Sequence, residues 1–145
     1  MAATEEVGRI LAVDLGTKRI GLALSDPLGL TAQPMPTLKA EGWETDVAAI
    51  GRIAAERGAQ AIIVGLPLRM SGRAGPEARR AESFAQALRE KTRLPVRTWD
   101  ERLTTAASER SLIEAGRSRK KRRAAVDSAA SILILQSYLD TINRP

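Results

Sequence analysis

The stretch that decides the fold is residues 9–16, RILAVDLG, followed after a two-residue turn by residues 19–25, RIGLALS. These segments predict a β-hairpin, because an apolar run stops at Asp14-Leu15-Gly16 and the second segment alternates apolar residues with others. Asp14 falls on the strand face of Ile10 and Ala12, so the alternation predicts a carboxylate that faces inward.

The rest of the chain predicts one weak strand and then alternating helices and strands. Pro34 and Pro36 mark residues 31–38 as an edge strand. Apolar spacing and breaker residues predict helices over 43–57, 76–91, 104–115 and 124–139, and strands over 61–66 and 95–99. We therefore expect one α/β domain over residues 1–145. Its mixed five-stranded sheet has three antiparallel strands followed by parallel βα units, and helices flank it.

The composition excludes several kinds of catalysis. The 145 residues include no Cys and no His, so disulfides, thiolate nucleophiles, Cys/His zinc sites and histidine triads cannot form. An enzyme with this sequence must use carboxylates, other polar groups or a bound ion. No apolar run approaches the roughly 20 residues of a membrane span, and the N-terminus lacks a signal pattern. We expect a cytoplasmic protein with no membrane partner.

One short segment carries the whole net charge of +6. Six of the eight residues 116–123 are basic, and outside this segment 17 basic residues balance 17 acidic ones. A dense cluster of this kind predicts a clamp for phosphates, so the expected partner is nucleic acid; a solvated loop is the alternative. Aromatic residues are only 3%, which argues against a base-stacking platform. The six cations are Arg117, Arg119, Lys120, Lys121, Arg122 and Arg123.

Four carboxylates lie at the ends of predicted elements: Asp14, Asp100, Glu101 and Asp127. Buried anions are costly unless a cation compensates them, so carboxylates that meet at one sheet edge would require an ion. Mg²⁺ and Mn²⁺ suit oxygen ligands, and two such ions can promote phosphodiester hydrolysis without His or Cys.

Each of these carboxylates also has a purely structural interpretation. Asp14 can be a turn residue, and Asp127 can cap the last helix. The Asp100-Glu101-Arg102 segment can be a local ion pair.

The motifs together resemble those of the YqgF family, RuvC-like proteins called Holliday junction resolvases or pre-16S rRNA nucleases. Residues 12–23, AVDLGTKRIGLA, resemble its first motif. Residues 64–67 with 71–72 resemble the second, residues 100–105 the third, and residues 127–139 the closing helix. The likeness extends over nearly the whole chain, from about Gly8 to Leu139.

The resemblance implies a ribonuclease H-like fold and an acidic metal site. Carried over residue by residue, the catalytic and metal-ligating residues are Asp14, Glu101 and Asp127, with Asp100 as the runner-up in the third motif. RuvC-like resolvases commonly use four acidic ligands, whereas only three clear ones are present in this sequence. The choice between one and two metal ions therefore stays open.

The implied activity is metal-dependent endonuclease cleavage, with Mg²⁺ or Mn²⁺ as cofactor. The substrate is the 5′ end of pre-16S rRNA in ribosome biogenesis, a Holliday-type junction, or both; the sequence does not separate RNA from DNA. Lys18, Arg19 and Arg102 lie near the acidic residues in sequence, and we expect them to contact the nucleic acid and stabilise developing charge. We consider a homodimer as well, because a resolvase needs two active sites on a symmetric substrate.

The sequence is also compatible with two functions other than a nuclease. The Asp14-Leu15-Gly16-Thr17 segment is similar to a phosphate motif of the actin, Hsp70 and sugar-kinase ATPases, but those proteins use a second Asp-x-Gly motif that this sequence lacks. The chain can also be a non-catalytic RNA-binding factor of ribosome assembly, since the basic segment serves either role.

Overall fold

The computed structural model describes residues 8–103 and 129–143. Their strands form one sheet that carries helices on both faces. The strands are β1 (Arg9–Leu15), β2 (Arg19–Ser25), β3 (Ala32–Pro34), β4 (Leu38–Lys39), β5 (Ala59–Leu66) and β6 (Val96–Asp100). The helices are α1 (Trp43–Glu56), α2 (Pro76–Thr92) and α3 (Ala129–Ile142), and a 3₁₀ turn covers Glu101–Leu103.

The predicted hairpin is confirmed. β1 and β2 pair antiparallel, with Asp14 opposite Gly21. The backbone N–H of Gly16 donates to the carbonyl oxygen of Arg19 over 2.9 Å and closes the turn. A Cβ at Gly16 would lie 2.5 Å from that same oxygen, so this tight turn requires glycine.

The predicted third strand is present as two short strands. β3 pairs with the end of β2 and β4 with its beginning, both antiparallel. Between them, Pro36 has no N–H to donate, which explains why the pairing is interrupted. The sheet therefore has six strands where the sequence predicted five, although it is still five positions wide because β3 and β4 both border β2.

The parallel part of the sheet confirms the predicted fold class. The strand order is β3-β2-β1-β5-β6, and β5 pairs parallel to both β1 and β6. α1 ends at Glu56, just before Gly58, which adopts a φ of +69°. The predicted helix over 104–115 and the first residues of the predicted helix over 124–139 lie outside the described residues.

Two hydrophobic clusters occupy the two faces of the sheet. Leu11 and Val13 pack with residues of α1 and α2, whereas Ile10 and Ala12 pack with residues of α3. Each large apolar side chain buried in this way stabilises the fold by about 1.5–3 kcal/mol. The alternation places the next residue of the second set, Asp14, on the α3 face near the carboxyl end of β1.

Within the described ranges, no helix is long and apolar enough to cross a membrane.

Candidate active site

Two carboxylates from distant parts of the sequence meet at the carboxyl edge of the parallel strands. Asp14 lies near the end of β1, and Glu101 is the first residue after β6. β5 lies between these strands, and its Gly65 has no side chain to separate them. A Cβ at Gly65 would lie 2.7 Å from Oε2 of Glu101 and 2.5 Å from Cδ1 of Ile134. The bare backbone of Gly65 therefore lets Glu101 cross β5 and reach Asp14.

The two carboxyl groups are hydrogen-bonded to each other, and the pKa of each is raised. Burial, the charge of Asp14 and this hydrogen bond raise the pKa of Glu101 to about 7. Burial also raises the pKa of Asp14, while the hydrogen bond from Glu101 opposes that rise. Protonated Glu101 is thus the donor and Asp14 the acceptor, as expected when two like charges are forced together.

Asp100, the runner-up ligand, takes a different partner. Arg102 Nη2 lies 2.7 Å from Asp100 Oδ2, and the backbone N–H of Arg102 donates to Oδ1 over 2.9 Å. The bonds from Arg102 hold the pKa of Asp100 below its usual value. The preceding residue, Trp99, packs against α3 and donates from Nε1 to Ser137 Oγ over 3.2 Å. The alternation of β6 then directs Asp100 away from that face, and the 3₁₀ turn brings Glu101 back to it.

Of the predicted nucleic-acid contacts, Arg102 is largely engaged within the protein. Besides its bonds to Asp100, its Nη1 donates to the carbonyl oxygen of Met70 over 3.3 Å. Lys18 and Arg19 are exposed in and beside the β1–β2 turn. Arg102 thus lies beside the acidic pair and joins the connection between β5 and α2 to the turn after β6. Contact of these three residues with nucleic acid stays a prediction.

The third predicted ligand and the basic segment lie outside the described residues, which exclude Asp127 and residues 117–123. The described part of α3 covers the site: Ser131 is buried against Gly21, where an added Cβ would lie 3.4 Å from Ser131 Oγ and 3.7 Å from Asp14 Cβ. Within the described residues, no group of three acidic side chains could hold a metal ion. The complete ligand set of Asp14, Glu101 and Asp127 therefore stays a prediction.

Sequence reasoning missed two contributors to this site. In the sequence, Gly65 is only one residue of the second motif, although a glycine inside a buried strand often marks the close approach of another group. Arg80 of α2 was not singled out; its Nη1 donates to the carbonyl oxygen of Gly16 over 3.4 Å, next to the end of β1. No local pattern could have indicated that contact, because 64 residues separate its partners.

The fold of the described residues is similar to the ribonuclease H-like fold of RuvC-like resolvases. The T. thermophilus RuvC, solved in complex with a Holliday junction substrate, aligns with a TM-score of 0.67 at 13% identity over 94% of this chain and 97% of that one. The Fowlpox virus resolvase, solved with Holliday junction DNA, aligns with a TM-score of 0.57 at 14% identity over 94% and 99%. At such identities the likeness shows the fold alone.

The chain belongs to the RuvX family, whose model is described as Holliday junction resolvase and matches residues 8–141. A relative from Clostridium beijerinckii is 46% identical over 94% of this chain and 99% of its own length. A second, from Pelotomaculum thermopropionicum, is 48% identical over 94% and 90%. Both carry the name "Putative pre-16S rRNA nuclease".

Proposed function

We propose that this protein is a metal-dependent endonuclease that hydrolyses phosphodiester bonds of nucleic acid. The observation that carries the proposal is the contact between the carboxyl groups of Asp14 and Glu101 at the carboxyl edge of the sheet. Ligands of α/β sheets bind at this edge. The sequence has no Cys and no His, so its catalysis would depend on carboxylates, and this half-buried pair supplies two of them.

The donor set fits a hard divalent cation. Both groups are carboxyls, and each has a pKa raised by burial, so a cation that replaces their shared proton would relieve the repulsion between them. Mg²⁺ and Mn²⁺ accept such oxygen ligands. We propose that Asp14 and Glu101 hold the ion and that Asp127 completes the set. When bound, an ion of this kind stabilises charge on a phosphate and lowers the pKa of water.

The other residues of the site position these carboxylates. Gly65 leaves the space that Glu101 occupies. Arg102 binds Asp100 and the carbonyl oxygen of Met70, which fixes the 3₁₀ turn that starts with Glu101. We propose that the acidic pair is held in place by the fold before any substrate binds.

We propose the 5′ end of the small-subunit rRNA precursor as the substrate, with four-way junctions as a second class. The names of the relatives support the first substrate, and the description of the family supports the second. Paired cuts in a symmetric junction would require two copies of the chain, so we also propose a homodimer for that reaction.

Cleavage assays test the proposal directly. The purified protein is incubated with precursor 16S rRNA and with a four-way DNA junction, in Mg²⁺, Mn²⁺ or EDTA. We expect metal-dependent cleavage by the wild-type chain and by Asp140→Asn, which changes an exposed carboxylate on α3. Asp14→Asn is expected to lower the rate at least about 100-fold, as loss of a metal ligand would. Retained activity in Asp14→Asn would rule out this site.

A second outcome would favour the non-catalytic alternative. If the wild-type chain binds precursor rRNA in EDTA and cleaves neither substrate in either metal, the protein acts as an RNA-binding assembly factor. The Asp14–Glu101 pair would then have only a structural role.

A further inference from the structure

The connection between β5 and α2, residues 67–75, contains two arginines and no acidic residue. We call it the β5–α2 loop. Arg69 and Arg73 are exposed in it, and Arg80 is exposed in the second turn of α2. No carboxylate among the described residues pairs with these three guanidinium groups. They form a positively charged surface that the chemistry of the acidic pair does not use.

Backbone hydrogen bonds hold the β5–α2 loop in a tight turn. The N–H of Gly72 donates to the carbonyl oxygen of Arg69 over 2.7 Å, and the N–H of Arg69 donates to that of Arg73 over 3.0 Å. Gly72 adopts a φ of +88°, a conformation that favours glycine. Arg69 and Arg73 therefore leave the backbone from adjacent points, which reduces the entropy lost when both contact one ligand.

The same loop lies beside the acidic pair. Its Met70 carbonyl accepts the hydrogen bond from Arg102, the residue after Glu101. Across the sheet edge, Arg80 donates to the carbonyl oxygen of Gly16, two residues after Asp14. The charged surface of Arg69, Arg73 and Arg80 thus borders both elements that carry the carboxylates.

We propose that Arg69, Arg73 and Arg80 bind backbone phosphates of the nucleic acid on either side of the bond held at Asp14 and Glu101. The proposal rests on the proposed function, because it gives that site its substrate-binding surface. Guanidinium groups match phosphate oxygens with two parallel hydrogen bonds. Such contacts position a strand without reading its sequence, and the surface accepts RNA and DNA by the same chemistry.

The salt dependence of binding tests this surface separately from cleavage. Binding of the full-length protein to a fluorescent RNA duplex and to a four-way DNA junction is measured in EDTA between 50 and 300 mM KCl. The triple variant Arg69→Gln, Arg73→Gln, Arg80→Gln is compared with Arg52→Gln, Arg57→Gln, Lys91→Gln. The control removes the same charge from α1, from the residue that follows α1 and from the last turn of α2, near the start of β5 and away from the acidic pair.

Each phosphate contact contributes about 0.9 to the slope of log affinity against log salt concentration on duplexes. The triple variant is expected to lower the magnitude of that slope by about 2.7 and to weaken binding about tenfold or more at 100 mM salt, while the control slope stays close to wild type. Arg73→Gln alone, which removes no side-chain hydrogen bond to a described residue, is expected to lower the slope by about 0.9 without altering the unfolding transition.

Equal slopes for the two triple variants would overturn this inference and leave the nuclease proposal intact. If the wild-type chain binds neither the RNA duplex nor the DNA junction, both this inference and the nuclease proposal are overturned. A loss confined to the RNA duplex or to the junction would support the surface and identify the nucleic acid that it serves.

Discussion

The strongest test of the acidic pair is that removing one of its charges should stabilise the protein. Glu101 has a pKa of about 7 in the folded chain against a usual value of 4.5. Below pH 4.5 Glu101 is protonated in both the folded and unfolded states. The unfolded state releases this proton near pH 4.5, whereas the folded state holds it up to about pH 7, so the stability linked to the proton is lost as the pH rises from 4.5 through 7.

The magnitude follows from the difference between the two pKa values. A tenfold change in proton affinity is worth about 1.4 kcal/mol, so the full difference between 4.5 and about 7 corresponds to about 3.5 kcal/mol at most. Glu101 is only partly buried, and solvent screening lowers this to about 1–2 kcal/mol. Glu101→Gln keeps the volume and a donor toward Asp14 but cannot ionise, so it should gain that amount at pH 8.5 and nothing at pH 4.

Urea unfolding in EDTA at pH 4, 7 and 8.5 measures this effect. The matched control is Glu82→Gln, which changes an exposed carboxylate on α2 and is expected to alter the free energy of unfolding by less than about 0.5 kcal/mol at any pH. If Glu101→Gln is no more stable than wild type at pH 8.5, with an unchanged denaturant slope, the repulsion between Asp14 and Glu101 is not what the structure implies.

Three further predictions concern the same site. First, Mg²⁺ at ten times its dissociation constant should stabilise the wild-type chain by about 1.4 kcal/mol in thermal unfolding, and Glu101→Gln by much less; equal stabilisation would place the ion elsewhere. Second, Gly65→Ala should cost about 1–3 kcal/mol and abolish cleavage, because its Cβ would meet Glu101 Oε2 at 2.7 Å. Gly51→Ala lies in α1, and its Cβ would be 3.4 Å from Thr92 Cγ2 of α2, so it should be neutral or stabilising by up to about 1 kcal/mol; similar losses for both variants would refute the steric argument. Third, Arg102→Lys should lower the cleavage rate while leaving the unfolding transition nearly unchanged, since it removes the forked contact to Asp100 on an exposed side chain; an unchanged rate would show that Arg102 does not position the turn.

Local patterns were sufficient for most of the described elements and for the face on which Asp14 lies. Alternation along β1 depends only on the period of an extended chain, so Ile10, Ala12 and Asp14 share a side whatever the strand packs against. Pro34 and Pro36 likewise predict an edge strand from the local sequence alone. The division of that strand into β3 and β4 depends on its pairing with β2.

The choice between Asp100 and Glu101 could not be made from the sequence. They are adjacent, and the one that faces Asp14 depends on where β6 ends and on the 3₁₀ turn that follows. Arg102 contributes to that outcome by pairing with Asp100, an interaction that the sequence offered only as one alternative.

By itself, the sequence determined the α/β class, the hairpin at its start, the absence of His and Cys chemistry, and the family resemblance, because these depend on residue identity and short-range periodicity. The tertiary structure alone decided that Glu101 crosses Gly65 to form a hydrogen bond with Asp14, and that Arg80 and the β5–α2 loop border this pair. These contacts join residues tens of positions apart, and they form only when parallel strands bring their carboxyl ends to one edge of the sheet.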